Sequence, residues 1–221
     1  MPQLDSIDVG YDNGAWLQVR PLNQLNDAQR ARLKAPPGAA FDINVIRPTP
    51  AGALPMRRIF EDEKGNELEQ LDLWEYGYDP RERPWYVSTM KAGRPVISSP
   101  YVAFSIGAPL ISISAPLKGS VRGVIAADLK LDDFSNFVEA QRPGEHGTII
   151  IFDKAGMLIA HPNFAQFVAD AMTHPSQPQL INIKGTGRID PEGLERQRSI
   201  RWKYSQRARD FPISAEKSRS R

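Results

Sequence analysis

The chain of 221 residues has no cysteine. Disulfides, thiolate nucleophiles and Cys-ligated metals are therefore excluded, and the redox compartment is left open. No apolar run approaches the roughly 18 to 20 residues that a bilayer-spanning helix needs. The first residues, MPQLDSIDVG, lack the basic-then-apolar order of a secretory signal. Taken literally, the expectation is a soluble, unexported chain. Histidine is scarce as well: His146, His161 and His174 are too far apart for metal-ligand spacing. Neither a G-x-x-x-x-G-K phosphate loop nor a G-x-S-x-G elbow occurs. The expectation is no enzyme, no metal and no cofactor.

What is present is ordinary for a globular protein: 41% hydrophobic and 24% charged residues. The net charge of +2 is unevenly spread. Residues 196–221 hold nine Lys/Arg against two acids, while residues 1–195 hold 19 against 24. The body is thus mildly acidic, and a basic end of this kind is more often solvated than a reader of phosphates, which argues against nucleic acid.

Strands dominate. In FDINVIR, Phe41, Ile43 and Val45 alternate with Asp42 and Asn44; in LISISAPL, Ile111, Ile113 and Ala115 alternate with Ser112 and Ser114. This period of two predicts half-buried antiparallel strands, wet on one face. GAWLQVRPL, VRGVIAADLKL and a hairpin broken at Lys64-Gly65-Asn66 extend the sheet to at least five strands. Helices are expected from Pro84 to a stop at Gly93, and from an Asp132 cap to a stop before Pro143. GTIIIFDKAGMLIAHP reads as a further hairpin, and NFAQFVADAMTH as a possible helix. The expected division is residues 1–143, then an incomplete module at 144–175, then an irregular basic tail at 176–221.

The stretch YDPRERPWY concentrates chemistry. Asp79-Pro80 favours a turn and Pro84 opens a helix, so Arg81, Glu82 and Arg83 lie where guanidinium forks and free backbone N–H groups can receive a planar anion. Trp85 and Tyr86 add flat apolar walls with one donor each. Composition alone leaves a plainer reading open, in which the aromatics fill core and the arginines pair with Asp79 or Glu82.

The order YDPRERPWY, short helix, SSPYVAF, GVIAADLKL, GTIIIFDKAGMLIAHP resembles the double Cache sensor domains of bacterial transmembrane receptors, over roughly residues 11–165. The resemblance implies an α+β, PAS-like antiparallel sheet flanked by short helices, with a partial second module. It implies a membrane-distal module that binds a small carboxylate or amino-acid-like ligand on the extracytoplasmic side and regulates a cytoplasmic output. The ligand residues implied are Tyr78, Arg83, Trp85, Tyr86, Tyr101 and Asp128, with Arg and Trp on the carboxylate and the later Tyr and two aspartates on an ammonium. The chain departs from the pattern at Ala103, where amino-acid-binding members carry the first of those aspartates, so an anion lacking the amine is the better expectation. Asp128 retains a local alternative as a cap before the helix near Asp132, and Tyr101 as a plain strand residue. Intact receptors of the family carry membrane helices and an output domain, so the chain reads as an isolated or truncated sensor portion. A homodimer is possible, and the competing reading is a structural or dimerisation module that binds nothing.

Overall fold

The computed structural model describes residues 4–141, 147–153, 155–165 and 214–219. The chain divides into two compact units, one from residues 1–98 and 103–130, the other from residues 99–102 and 131–221. The division falls between Lys130 and Leu131, ahead of the expected position near residue 143.

The first unit opens with β1 (Leu4–Tyr11) and β2 (Trp16–Pro21), an antiparallel pair joined through Gly14 at φ +87°. Helix α1 (Asp27–Leu33) follows, closed by a capping box in which Asn26 and Gln29 satisfy each other's backbone N–H groups. Then come β3 (Phe41–Ile46), β4 (Met56–Glu61) and β5 (Glu67–Leu73), with Gly65 supplying the positive φ that the β4–β5 turn requires. A 3-10 turn at Pro80–Glu82 leads into α2 (Pro84–Ala92), which stops at Gly93 in the left-handed conformation. Strand β6 (Val96–Ile97) precedes β7 (Tyr101–Val102) of the second unit; β8 (Pro109–Pro116) and β9 (Gly123–Lys130) complete the first. The sheet runs β5-β4-β3-β2-β1-β9-β8-β6 with all its pairings antiparallel.

The second unit contains α3 (Leu131–Ala140), β10 (Gly147–Phe152), β11 (Leu158–Ala160) and β12 (Ser214–Arg219) in a sheet ordered β11-β10-β12. Residues 214–219, expected within an irregular tail, are thus a strand antiparallel to β10. Asp132 lies inside the first turn of α3, because the helix starts one residue earlier than its expected cap. The helix expected in NFAQFVADAMTH lies mostly outside the described residues.

The strand periodicity is as expected but its polarity is reversed. Asp42, Asn44 and Ser112 are fully buried, whereas Ile113 is 43% exposed, as are Ile7 and Leu17 to a similar degree. The face covered by α2 and the 3-10 turn is the polar one. Alternation defines two faces and cannot say which of them the rest of the chain will cover.

Candidate functional site

Two rows of polar side chains cross the buried face of the first unit. In one, Arg58 Nε donates to Asn44 Oδ1 (2.9 Å), Asn44 Nδ2 to Gln18 Oε1 (3.1 Å) and Gln18 Nε2 to Asp8 Oδ1 (2.9 Å), following the register Arg58–Asn44–Gln18–Asp8. In the other, Arg20 pairs with Asp5 (3.1 Å) and Asp42 (3.2 Å), and Arg58 approaches Asp42 at 3.2 Å. Ser112 Oγ donates to Asp128 Oδ1 at 2.5 Å, and Ser6 Oγ reaches Asp128 at 3.2 Å and Asp8 at 3.0 Å. Burying so many polar groups is tolerable only where they find partners, and these rows supply most of them; Asp5 Oδ1 and Asp42 Oδ1 are buried without a hydrogen bond.

The charges perturb one another. Burial works against the Arg20 cation, but Asp5, Asp42 and Asp8 outweigh it and hold the guanidinium protonated. Asp8 is pushed well above the ordinary carboxylate range, chiefly by burial and then by the charge of Asp128, against Arg20 and the hydrogen bonds from Ser6 and Trp16. Asp128 is raised from 3.8 to about 6, first by burial; the bond from Ser112 opposes this, Asp5 adds to it, and Arg20 and Ser6 oppose it.

A carboxyl raised by folding binds its proton more tightly in the folded than in the unfolded chain. Stability is therefore greatest below the unfolded value, falls as pH climbs from about 3.8 to about 6, and stays at the lower level above that. The loss expected from Asp128 alone is about 3 kcal/mol, with Asp8 acting in the same direction. Urea midpoints should fall between pH 4 and pH 7, and Asp128→Asn should flatten the profile; a midpoint that rises over this interval would contradict the burial argument.

Above these rows stands an aromatic group. Trp16 stacks on Tyr78 with ring centroids 4.3 Å apart, Tyr78 meets Phe104 edge-on at 5.5 Å, and Phe104 meets Tyr76 at 5.3 Å. The Arg83 guanidinium lies 5.5 Å from the Tyr78 centroid and 5.3 Å from that of Phe104, in cation–π range of both. Tyr78 is buried, and its hydroxyl is pushed well up by burial, then by Asp8 and Asp128; a hydrogen bond with Trp85 and the charge of Arg83 act the other way.

The structure thus brings Tyr78, Arg83, Trp85 and Asp128 into one neighbourhood. The Tyr86 ring meets Trp85 edge-on at 5.7 Å, but its hydroxyl, raised first by burial, has Asp12, Arg122, Arg81 and Asp79 as its charged neighbours. Tyr101, half-buried, lies on β7 of the second unit. Asp128 is bound to Ser112 and Ser6 on the sheet. Ala103 is buried. Trp16, Phe104 and Asp8 were missed by sequence reasoning. The parity of β1 and β2 carries the signal for Asp8 and Trp16, since Asp8, Trp16, Gln18 and Arg20 all share the buried face; Phe104 stands just after the PYVA motif and is 40% exposed.

The two arginines of YDPRERPWY behave differently. Arg81 is held by Asp79 at 2.6 Å, the pairing that the plainer reading expected. Arg83 is half-buried, and its guanidinium makes no ion pair among the described residues. It precedes α2 at the N-cap position without a capping side-chain bond. Trp85 is placed by Gly10 of β1, where a Cβ would stand 2.8 Å from Trp85 Cη2 and 3.0 Å from Pro80 Cβ. Gly10→Ala is expected to cost about 1–3 kcal/mol by overpacking, read as a lower urea midpoint; an unchanged midpoint would show that α2 can shift freely. A cavity of about 270 Å³ lies elsewhere, against β3–β5, lined by Val45, Met56, Ile59, Leu73 and Trp74 among others.

The first unit is an α+β antiparallel sheet with a few helices, carrying a guanidinium over aromatic rings above a buried carboxylate face. Residues 30–136 match the family described as methyl-accepting chemotaxis protein-like, first PDC sensor domain. The chain is 31% identical over 160 residues to Adenylate cyclase 1 of Rhizobium meliloti, covering 72% of this chain and 24% of that protein. It is 41% identical over 88 residues to the methyl-accepting chemotaxis protein McpB of Bacillus subtilis, covering 39% of this chain and 13% of that protein. Among solved structures it is similar to the ligand-binding domain of the Pseudomonas aeruginosa amino acid chemoreceptor PctB in complex with L-Gln, with 18% identity, TM-score 0.44, and coverage of 78% of this chain and 52% of that one. The chain therefore spans about a quarter or less of these curated relatives. No helix among the described residues is long and apolar enough to cross a membrane.

Proposed function

We propose that the first unit is the ligand-binding module of a double Cache sensor, on the extracytoplasmic side of a receptor, and that it takes a small carboxylate or amino-acid-like ligand. The observation that carries this reading is Arg83: a half-buried guanidinium lying against two aromatic rings, with no acid paired to it among the described residues. Such a cation can accept a planar anion without first breaking an ion pair. Tyr78 and Trp85 supply the walls, and Asp128, with Asp8 behind it, offers carboxyls for whatever polar end the ligand carries away from Arg83. Tyr86 and Tyr101 complete the residue set by resemblance alone. Ligand capture would regulate a cytoplasmic output only through its differential affinity for two arrangements of the module.

The test is thermal denaturation of the full chain against a panel of small carboxylates and their 2-amino analogues. Stabilisation by at least one compound is expected, and the paired analogues tell a carboxylate from an amino acid. A flat response across the panel would favour a module that binds nothing.

A further inference from the structure

The cavity of about 270 Å³ lies on the face of the sheet turned away from the buried polar rows. Strand parity places its walls. On β4, Arg57 and Ile59 alternate with the buried Met56, Arg58 and Phe60, and on β3, Val45 stands between the buried Asn44 and Ile46. The register Ile46–Met56–Leu73 brings the ends of three neighbouring strands level, so that Arg47, Pro55 and Trp74, each one residue beyond its strand, line the same end of the cavity. Two of these side chains are unused by the fold. Trp74 is 71% exposed, the most exposed large apolar side chain among the described residues, and its indole makes no ring contact or hydrogen bond among them. Arg47 is exposed too and makes no ion pair or hydrogen bond among the described residues, whereas Arg57 is held by Asp72 at 2.9 Å.

The geometry points to a second ligand site here, for a small aromatic monocarboxylate. Charge selects the anion. The walls carry two guanidiniums and one carboxylate; Arg57 and Asp72 cancel, and the Arg47 fork is left to receive a planar carboxylate. One unbalanced cation suits a single negative charge, and the excess of acids over bases in residues 1–195 works against any polyanion. Shape selects the body of the ligand. The half-buried Val45, Pro55 and Ile59 form an apolar floor, and the bare indole of Trp74 offers a flat face on which an aromatic ring can stack. Size sets the limit: the cavity equals the liquid volume of roughly nine water molecules, room for one or two rings with a carboxylate and too little for a peptide. The site is on the opposite face of the sheet from the rows beneath Arg83, so it does not rest on the function proposed above.

Isothermal titration of the full chain carrying Arg83→Ala, which removes the other candidate cation, isolates this site. Phenylacetate should bind saturably and one to one, at least tenfold tighter than the uncharged 2-phenylethanol and several-fold tighter than cyclohexylacetate, which lacks the flat ring. In the same background Arg47→Gln and Trp74→Ala should each weaken phenylacetate at least tenfold with the urea midpoint unchanged, because neither side chain is bonded within the described fold. A second arm needs no change at the cavity during the titration. The chain has four tryptophans, and the indole N–H resonance assigned to Trp74 by its loss in Trp74→Phe should move furthest as phenylacetate is added to the Arg83→Ala chain. No binding, a response that never saturates, equal affinity for 2-phenylethanol, affinity unaltered by Arg47→Gln, or a larger shift at another indole would each overturn the assignment. Binding to the wild type that vanishes in Arg83→Ala would overturn it as well, by placing the acid at Arg83.

Discussion

Arg83→Ala is expected to abolish the thermal response to every compound that stabilises the wild type, with affinity falling roughly 30-fold to several thousandfold, the range for removing one partner of a buried charge contact. Stability without ligand should fall by no more than about 1–2 kcal/mol. The side chain caps nothing at the start of α2 and joins no ion pair among the described residues. Its two ring contacts are worth about 0.5–1 kcal/mol each at a partly exposed site. Arg81→Ala is the matched control, because that guanidinium is occupied by Asp79 and should leave binding intact. Isothermal titration of the three proteins decides the matter: equal affinity in wild type and Arg83→Ala would remove this site from consideration, whatever else the module binds.

Arg20→Ala is expected to be the most destabilising substitution in the first unit. Arg20 is 1% exposed and bridges Asp5 and Asp42, which are themselves buried. Its removal strands Asp5 and leaves Asp42 with Arg58 alone, both beyond the reach of water, at a cost of about 3–5 kcal/mol. That is a large part of the stability of an ordinary domain. A triple variant that also neutralises the carboxylates, Arg20→Ala with Asp5→Asn and Asp42→Asn, should recover part of the loss, since the penalty arises from the unpaired charges more than from the missing contacts. Urea denaturation of the single and combined variants measures this coupling. A loss below about 1 kcal/mol for Arg20→Ala would mean that water enters the rows and that the buried network contributes little.

These two residues also show where sequence and structure part company. Arg83 was legible because much of what positions it is local: Asp79-Pro80 makes the turn, Pro84 opens α2, and the ring of Tyr78 stands a few residues back along the chain, whereas its other ring partner, Phe104, comes from beyond α2. Arg20 was not. Its partners stand on β1 and β3, and nothing in GAWLQVRPL says that Trp16, Gln18 and Arg20 turn inward while Leu17 and Val19 turn out. Hydrophobic periodicity suggests the reverse, on the assumption that the apolar face is the covered one. Short helix α1 escaped for a related reason: only Leu33 of its seven residues is buried, so it shows no apolar stripe, although the Asn26 and Gln29 pair marks its start.

By itself the sequence determined the local elements of this protein: the alternating strands, the glycine at the β4–β5 turn, the proline start and glycine stop of α2, and the arginine–aromatic cluster between them. Each depends on backbone chemistry within a few residues. Only the tertiary structure decided that α2 and its preceding turn would cover the polar face of the sheet. That choice buried Asp8, Arg20, Asp42 and Asp128 in one network and left Ile7, Leu17 and Ile125 facing outward. The physical reason is that a strand's period of two creates two faces of equal standing, and the covering element, supplied from far along the chain, breaks the tie.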